Sequence, residues 1–200
     1  FFKTKKKNKN IILIVSKKLL QMQMEKLNFD YRINELDVKK IKLEKLQTNK
    51  INIVNVDFKF QKTFDKITNK SNNYIEKCFV VALELIKKYE FSGLINGPIS
   101  KKHFLQGKNL GITEYLAKKT KKNNDVIMLI YNKKLSVSPI TTHLALKDVH
   151  KNISKKKIYK HVKLIDEFYI KKFNKKPKIA ITGLNPHCES NFQNSEEDLI

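Results

Sequence analysis

The sequence predicts an α/β fold with a mostly parallel sheet flanked by helices. Short apolar runs of the kind found in buried parallel strands recur along the chain, and segments with apolar residues at helical spacing follow several of them. All glycines and prolines lie at or after Gly93, where they punctuate the second half into strand, loop and helix. With 200 residues and 40% hydrophobic content, the chain can bury a core.

The first half predicts a β-α unit followed by a strand and a helix. Residues 11–15 form an apolar run suited to a buried strand, and residues 17–27 carry apolar residues at helical spacing. A second strand is predicted at 51–60, whereas 39–50 is polar and gives no clear pattern. Residues 73–89 predict an amphipathic helix that packs on the sheet through one face, formed by Ile75, Phe79, Ala82, Leu83 and Ile86.

The second half predicts further strands and two helices. One helix follows the turn Gly111-Ile112-Thr113-Glu114, and a longer one runs from an N-cap at Ser154 to about Phe173, before Pro177. Its inward stripe is predicted to be Ile158, Val162, Ile165 and Tyr169. Apolar runs predict strands at 91–95, 126–131, 135–140 and 178–182.

We expect residues 1–200 to form a single incomplete α/β unit. Within it, 1–92 lack glycine and proline, and 93–200 carry the loops suited to binding. The chain starts with Phe1 rather than Met, and Ser195 opens a helix-start pattern just before the last residue, so truncation at both ends is expected.

The net charge of +23 raises nucleic acid as a partner, but the composition argues against it. Only Arg32 among the 42 basic residues is arginine, and the lysines are scattered over every segment. A basic nucleic-acid-binding module therefore stays a minor alternative. No apolar run approaches the roughly 20 residues of a membrane span, and Cys78 and Cys188 cannot build a disulfide framework. These features favour a soluble, cytoplasmic protein.

Three loops have the polar side chains and turn residues of a binding site: 96–101, 141–146 and 183–188. Ligand sites in open α/β sheets lie beyond the carboxyl ends of strands, and His143 and His187 both follow a predicted strand there. Neutral imidazoles bind divalent ions well, although a surface or structural role is more common for a single loop histidine. That structural role is expected for His103, His150 and His161. A catalytic metal site usually needs three protein ligands, and a third is not evident.

Four motifs occur in a family-specific order: Asn96 to Lys101, Gly111 to Glu114, Thr141 to Asp148 and Gly183 to His187. Together they resemble the 4-hydroxythreonine-4-phosphate dehydrogenase family, NAD-dependent enzymes of vitamin B6 biosynthesis with an isocitrate/isopropylmalate dehydrogenase-like fold. The resemblance is specific from about Gly93 to His187.

The resemblance implies that His143 and His187 each bind a divalent metal, either zinc, magnesium, manganese or cobalt. The family's third ligand histidine lies in a motif beyond the end of this chain. The implied cofactor is NAD or NADP, and the residues that bind it are not identified in this sequence. The implied assembly is a homodimer with the active site at its interface. The family binds its small phosphorylated substrate through a histidine-threonine pair. The threonine matches Thr113, but Ile112 stands at the histidine position and cannot form a hydrogen bond.

The implied reaction is oxidation and decarboxylation of 4-phosphooxy-threonine in pyridoxal phosphate biosynthesis. Lys101 is a candidate for meeting a phosphate or relaying a proton, with a solvated lysine as the alternative. Asp148 could orient a ligand histidine or form a salt bridge with Lys147. The departure at Ile112 favours, as an alternative, a related dehydrogenase of a phosphorylated sugar acid such as threonate or erythronate phosphate. A catalytically inactive truncated chain is a further alternative.

Overall fold

The computed structural model describes residues 11–41, 45–122 and 125–184. The chain divides into two compact units, one of residues 1–107 and one of residues 108–200. The division follows a turn in which Gln106 and Gly107 both have a positive φ. The single α/β unit expected from the sequence stays a prediction, and each unit is described by itself.

A parallel three-stranded sheet forms the centre of the first unit. Strand β1 (Ile12–Val15) and strand β2 (Ile33–Glu35) flank the central strand β3 (Ile51–Asn55). The prediction for 11–15 is confirmed. The strand predicted at 51–60 forms but ends at Asn55. Strand β2 was not predicted, because three residues with a polar one in the middle are too short to show a period.

Two long helices and a short one complete the first unit. Helix α1 (Lys17–Lys26) begins where the Ser16 hydroxyl accepts a hydrogen bond from the Leu19 amide at 3.4 Å. Helix α2 (Asn72–Lys88) buries Phe79, Ala82 and Leu85 at a spacing of three residues, so its apolar face packs inward as predicted. Leu85 joins the β3 residue Val54 and two residues outside the strands, Leu36 and Ile41, in one core cluster. Helix α3 spans Lys101–Leu105.

The described part of the second unit contains two α-helices and an irregular region between them. Helix α4 (Ile112–Lys119) and helix α5 (Lys155–Phe173) confirm both predicted helices. The Ser154 hydroxyl accepts from the Lys157 amide at 3.3 Å, which confirms the predicted N-cap. Asn174, with φ of +49°, ends helix α5 in the left-handed conformation before the chain reaches Pro177. Short 3-10 turns lie at Leu146–Asp148 and His150–Asn152.

The remaining strand predictions are wrong in the described part of the chain. No strand forms at 91–95 or at 178–182, and Ile181 is 52% exposed. Segments 126–131 and 135–140 meet only through one antiparallel bridge between Ile130 and Val137. An apolar run becomes a strand only where a neighbour pairs its backbone groups, and none of the described residues pairs these runs along their length.

Within the described residues, no helix is long and apolar enough to cross a membrane.

Candidate functional site

A cavity of about 530 Å³ lies in the second unit where helix α4, the loop 141–146 and helix α5 meet. It brings together the threonine of the Gly111 to Glu114 motif and the threonines of the Thr141 to Asp148 motif. Its polar lining comes from Asn109, Thr113, Glu114, Lys118, Thr141, Thr142, Asn152, Lys157 and His161. Hydroxyl, carboxylate, amide and cationic groups on a cavity of this size suit a small polar ligand.

The start of helix α4 positions two of these side chains. Gly111 is the N-cap with extended backbone, and Ile112, Thr113 and Glu114 form the first turn. Thr113 and Glu114 line the cavity, whereas the half-buried Ile112 does not. Thr113, which the sequence predicts as a substrate contact, therefore lies on the wall of a cavity that a substrate could enter. Ile112, the other predicted substrate contact, has an apolar side chain and does not line the cavity.

His143 lies beside this turn, in a strained backbone conformation. Its φ is +58°, in the left-handed region that residues other than glycine rarely adopt, and its side chain is exposed. The Nε2 atom of His143 lies 3.6 Å from the point where a Cβ on residue 111 would sit. Because residue 111 is glycine, the space that a Cβ would occupy beside the imidazole is open.

Glu114 borders the same space. Its Oε2 atom lies 2.7 Å from the Cβ position of residue 111, so no larger residue fits there unless the carboxylate moves. This oxygen is buried and has no hydrogen-bond partner among the described residues. A buried carboxylate oxygen without a partner is costly, so its position calls for a ligand or a function.

An imidazole nitrogen and a carboxylate oxygen are both ligands of divalent ions, so His143 and Glu114 fit the metal that the sequence implies. The described residues hold no group of three histidine, cysteine or acidic side chains that could bind an ion on its own. His187, the second predicted ligand, lies outside the described residues, as do Asn185 to Cys188. The assignment of His143 and His187 as ligands stays a prediction.

The surface or structural role predicted for His161 is incomplete, because this histidine lines the cavity. Its Nδ1 lies 3.2 Å from the Lys157 carbonyl oxygen, and a proton there leaves Nε2 free to accept a hydrogen bond. His161 follows the buried Ile158 by three residues and so shares its helix face. The position of His161 three residues after Ile158 is the sequence signal that could have predicted its place on this face.

Lys157 and Lys118 place two cations at the cavity. The Lys157 ammonium donates to the Asn152 carbonyl at 3.0 Å, which holds it near the cavity wall. Lys118 is exposed on helix α4. Neither lysine was predicted as a site residue, because in a chain with 42 basic residues the sequence gives no reason to select one of them.

Other predicted residues lie elsewhere or have ordinary contacts. Lys101 begins helix α3 in the first unit and is exposed, and its proposed role stays a prediction. His103 lies 2.8 Å from the Ser100 hydroxyl, in agreement with a structural role. Asp148 forms no ion pair with Lys147 or with another described residue, and its backbone carbonyl accepts a hydrogen bond from the Asn152 side-chain Nδ2 at 2.8 Å.

The comparison with protein families matches residues 7–200 to the family described as pyridoxal phosphate biosynthetic protein PdxA. The chain belongs to this family. The resemblance inferred from the four motifs is thereby confirmed.

Among curated relatives of this family, a 4-hydroxythreonine-4-phosphate dehydrogenase from Sulfurihydrogenibium sp. (strain YO3AOP1) is 35% identical over 99% of the chain. A D-threonate 4-phosphate dehydrogenase from Salmonella typhimurium (strain LT2) is 29% identical over 66% of the chain and 41% of its own length. The chain covers 61% of the length of the Sulfurihydrogenibium relative.

The crystal structure of a 4-hydroxythreonine-4-phosphate dehydrogenase from Burkholderia phymatum resembles the chain with a TM-score of 0.77. The sequences are 21% identical, and the match covers 94% of this chain and 58% of that one. This likeness confirms the predicted α/β fold with its parallel sheet and flanking helices.

Proposed function

We propose that the protein takes part in the NAD- or NADP-dependent oxidation and decarboxylation of 4-phosphooxy-threonine for pyridoxal phosphate biosynthesis. The observation that carries this proposal is the cavity in which Thr113 of one family motif meets Thr141 and Thr142 of another. Membership of the PdxA family and the relative that shares 35% identity support it.

The cavity offers separate groups for the two ends of such a substrate. The hydroxyls of Thr113 and Thr142 can donate to or accept from the substrate's hydroxyl and amino groups, which fixes its orientation. Lys118, Lys157 and His161 lie on the same cavity and suit an anionic phosphate or carboxylate. The imidazole of His161 also gives the cavity a nitrogen that Ile112 cannot supply.

His143 and His187 would hold the divalent ion, which is zinc, magnesium, manganese or cobalt in this proposal. When bound, the ion would polarise the substrate hydroxyl and the nicotinamide would accept the hydride. The left-handed backbone at His143 and the space at Gly111 bring the imidazole close to the Glu114 carboxylate. Lys101 is retained as a candidate for proton relay, and a cytoplasmic homodimer is the proposed state.

A second candidate is oxidation of a phosphorylated sugar acid, threonate or erythronate phosphate. Ile112 favours it, because the missing motif histidine removes a hydrogen-bonding group from the substrate site and so changes which substrate binds well. The relative named D-threonate 4-phosphate dehydrogenase, 29% identical over 66% of the chain, gives further support. Rates of nicotinamide reduction with each substrate, measured side by side, discriminate the two.

Replacement of His143 by alanine tests the proposal. We expect His143→Ala to weaken divalent-metal binding and to lower kcat/KM by at least about 100-fold, because metal-site losses of this order are typical. Metal content by atomic emission and nicotinamide reduction at 340 nm are the measurements.

The matched control is His150→Ala, since His150 does not line the cavity. Metal content and activity that survive in His143→Ala would contradict the assignment. A wild-type chain that binds no divalent metal and converts neither substrate would instead support the inactive-chain alternative.

A further inference from the structure

The space over Gly111 is bordered by two ligand atoms from different motifs. Oε2 of Glu114 lies 2.7 Å and Nε2 of His143 lies 3.6 Å from the point that a Cβ on residue 111 would occupy. We infer that Glu114 is a further ligand of the divalent cation held at His143, its carboxylate oxygen binding the ion beside the imidazole. This inference rests on the proposed function of the site.

The distances allow one ion to be shared. The two atoms are separated by no more than the sum of their distances to the common point. Ligand atoms that bind one ion at about 2.1 Å lie roughly 3 to 4 Å from each other. Side-chain rotation of the exposed His143 or of Glu114 closes any difference, and glycine at 111 places no atom in the way.

Charge and hydrogen bonding favour the same role. A histidine ligand is neutral and leaves the double charge of the ion uncompensated, whereas a carboxylate offsets half of it. Oε2 of Glu114 is buried without a hydrogen bond or an ion pair among the described residues, so it is available to a cation. A hard ion such as Mn²⁺ or Mg²⁺ also prefers an oxygen ligand to a purely nitrogen site.

A capping role for Glu114 is the competing explanation. Glutamate at the third position of a helix can bond the amide of the N-cap residue, here Gly111. The unpartnered Oε2 takes no part in such a bond. An acidic residue in the first turn still stabilises the helix through the dipole, and this effect must be separated from metal binding.

Glu114→Gln tests the inference, because glutamine keeps the size and removes the charged oxygen. Binding of Mn²⁺ is measured by the loss of the free-ion electron paramagnetic resonance signal, and Zn²⁺ binding by competition with a chromophoric chelator. We expect Mn²⁺ to bind about 10- to 100-fold more weakly. The loss for Zn²⁺ should be smaller, since zinc accepts nitrogen ligands readily. Glu167→Gln, at an exposed glutamate of helix α5, is the control and should bind both ions as wild type does.

Gly111→Ala is the second variant, in case Glu114→Gln fails to fold. The extended backbone of residue 111 accepts alanine, but the new Cβ would lie 2.7 Å from Oε2 and must displace the carboxylate. It should therefore weaken Mn²⁺ binding in the same way.

Wild-type Mn²⁺ affinity in both variants, or an equal loss for Mn²⁺ and Zn²⁺ that follows a fall in melting temperature, would overturn the inference. In both outcomes wild-type protein still binds metal and His143→Ala still loses it, so the proposed function survives. If wild-type protein binds neither ion, the proposed function itself fails.

Discussion

At the scale of single residues, Gly111 and Thr113 shape the candidate site in different ways. Glycine leaves room for the Glu114 carboxylate and the His143 imidazole to approach the same point. Thr113, two positions later in the first turn of helix α4, presents its side chain to the cavity. Substitution at these positions should change ligand binding more than it changes the fold.

Thr113→Val removes one hydroxyl at nearly constant volume. We expect KM for the phosphorylated substrate to rise about 3- to 10-fold, which corresponds to a hydrogen bond worth roughly 1 kcal/mol. Steady-state kinetics of nicotinamide reduction measure the change.

Thr120→Val is the control on the same helix. Thr120 is exposed at the C-terminal end of α4, where its hydroxyl bonds the Leu116 carbonyl rather than a cavity group. Equal KM values for Thr113→Val and wild type would remove Thr113 from the substrate contacts.

At the scale of elements, helix α5 begins with an unfavourable charge pattern. Lys155, Lys156 and Lys157 occupy the first turn, where the positive end of the helix dipole disfavours cations, and no acidic residue offsets them. The Ser154 hydroxyl, which accepts from the Lys157 amide, is therefore the main local signal for the helix start. This helix carries Lys157 and His161 to the cavity.

Ser154→Ala should destabilise the protein by about 1 kcal/mol, because an orphan amide of the first turn loses its acceptor. The melting temperature should fall by about 2 to 4 °C for a chain of this size. Thermal unfolding followed by circular dichroism gives the value. Ser92→Ala, at an exposed serine outside any helix, should unfold as wild type does. An unchanged melting temperature for Ser154→Ala would mean that packing alone sets the helix start.

At the scale of the whole molecule, a half-buried phenol links stability to alkaline pH. The Tyr74 hydroxyl accepts a hydrogen bond from the Ser16 amide at 2.9 Å and ties helix α2 to the end of strand β1. Burial, with a smaller contribution from the charge of nearby Cys78, raises the pKa of Tyr74 to about 12. Burial likewise raises the pKa of the Cys78 thiol, which disfavours a reactive thiolate.

A raised pKa means that the folded state holds the phenol proton more tightly than the unfolded chain does. The stability from this group is complete below pH 10, the ordinary pKa of tyrosine, and is lost as pH rises through about 12. We therefore expect the difference in unfolding free energy between wild type and Tyr74→Phe to shrink between pH 9 and pH 12. Urea unfolding at several pH values measures it.

Tyr159→Phe is the control, since Tyr159 is 70% exposed and its removal should cause no pH-dependent difference. A gap between wild type and Tyr74→Phe that stays constant over this range would contradict the assignment.

Local patterns in the sequence determined the main helices, the family and two residues of the candidate site. Helix spacing and caps predicted α1, α2 and α5 to within a residue or two, since these signals lie within one turn of the chain. Helix α4 was predicted to follow the Gly111 to Glu114 turn, but it begins inside that turn at Ile112. Four ordered motifs gave the family and selected Thr113 and His143 before any contact was known.

Only the tertiary structure decided which apolar runs became strands, because a strand needs a partner that sequence spacing does not identify. It likewise decided that Thr113, Glu114 and His161 share one cavity, and that the Glu114 carboxylate lies beside His143 over Gly111. His143 and His161 lie 29 and 47 residues after Glu114 along the chain, and packing between elements, which no local pattern encodes, brings them together with it.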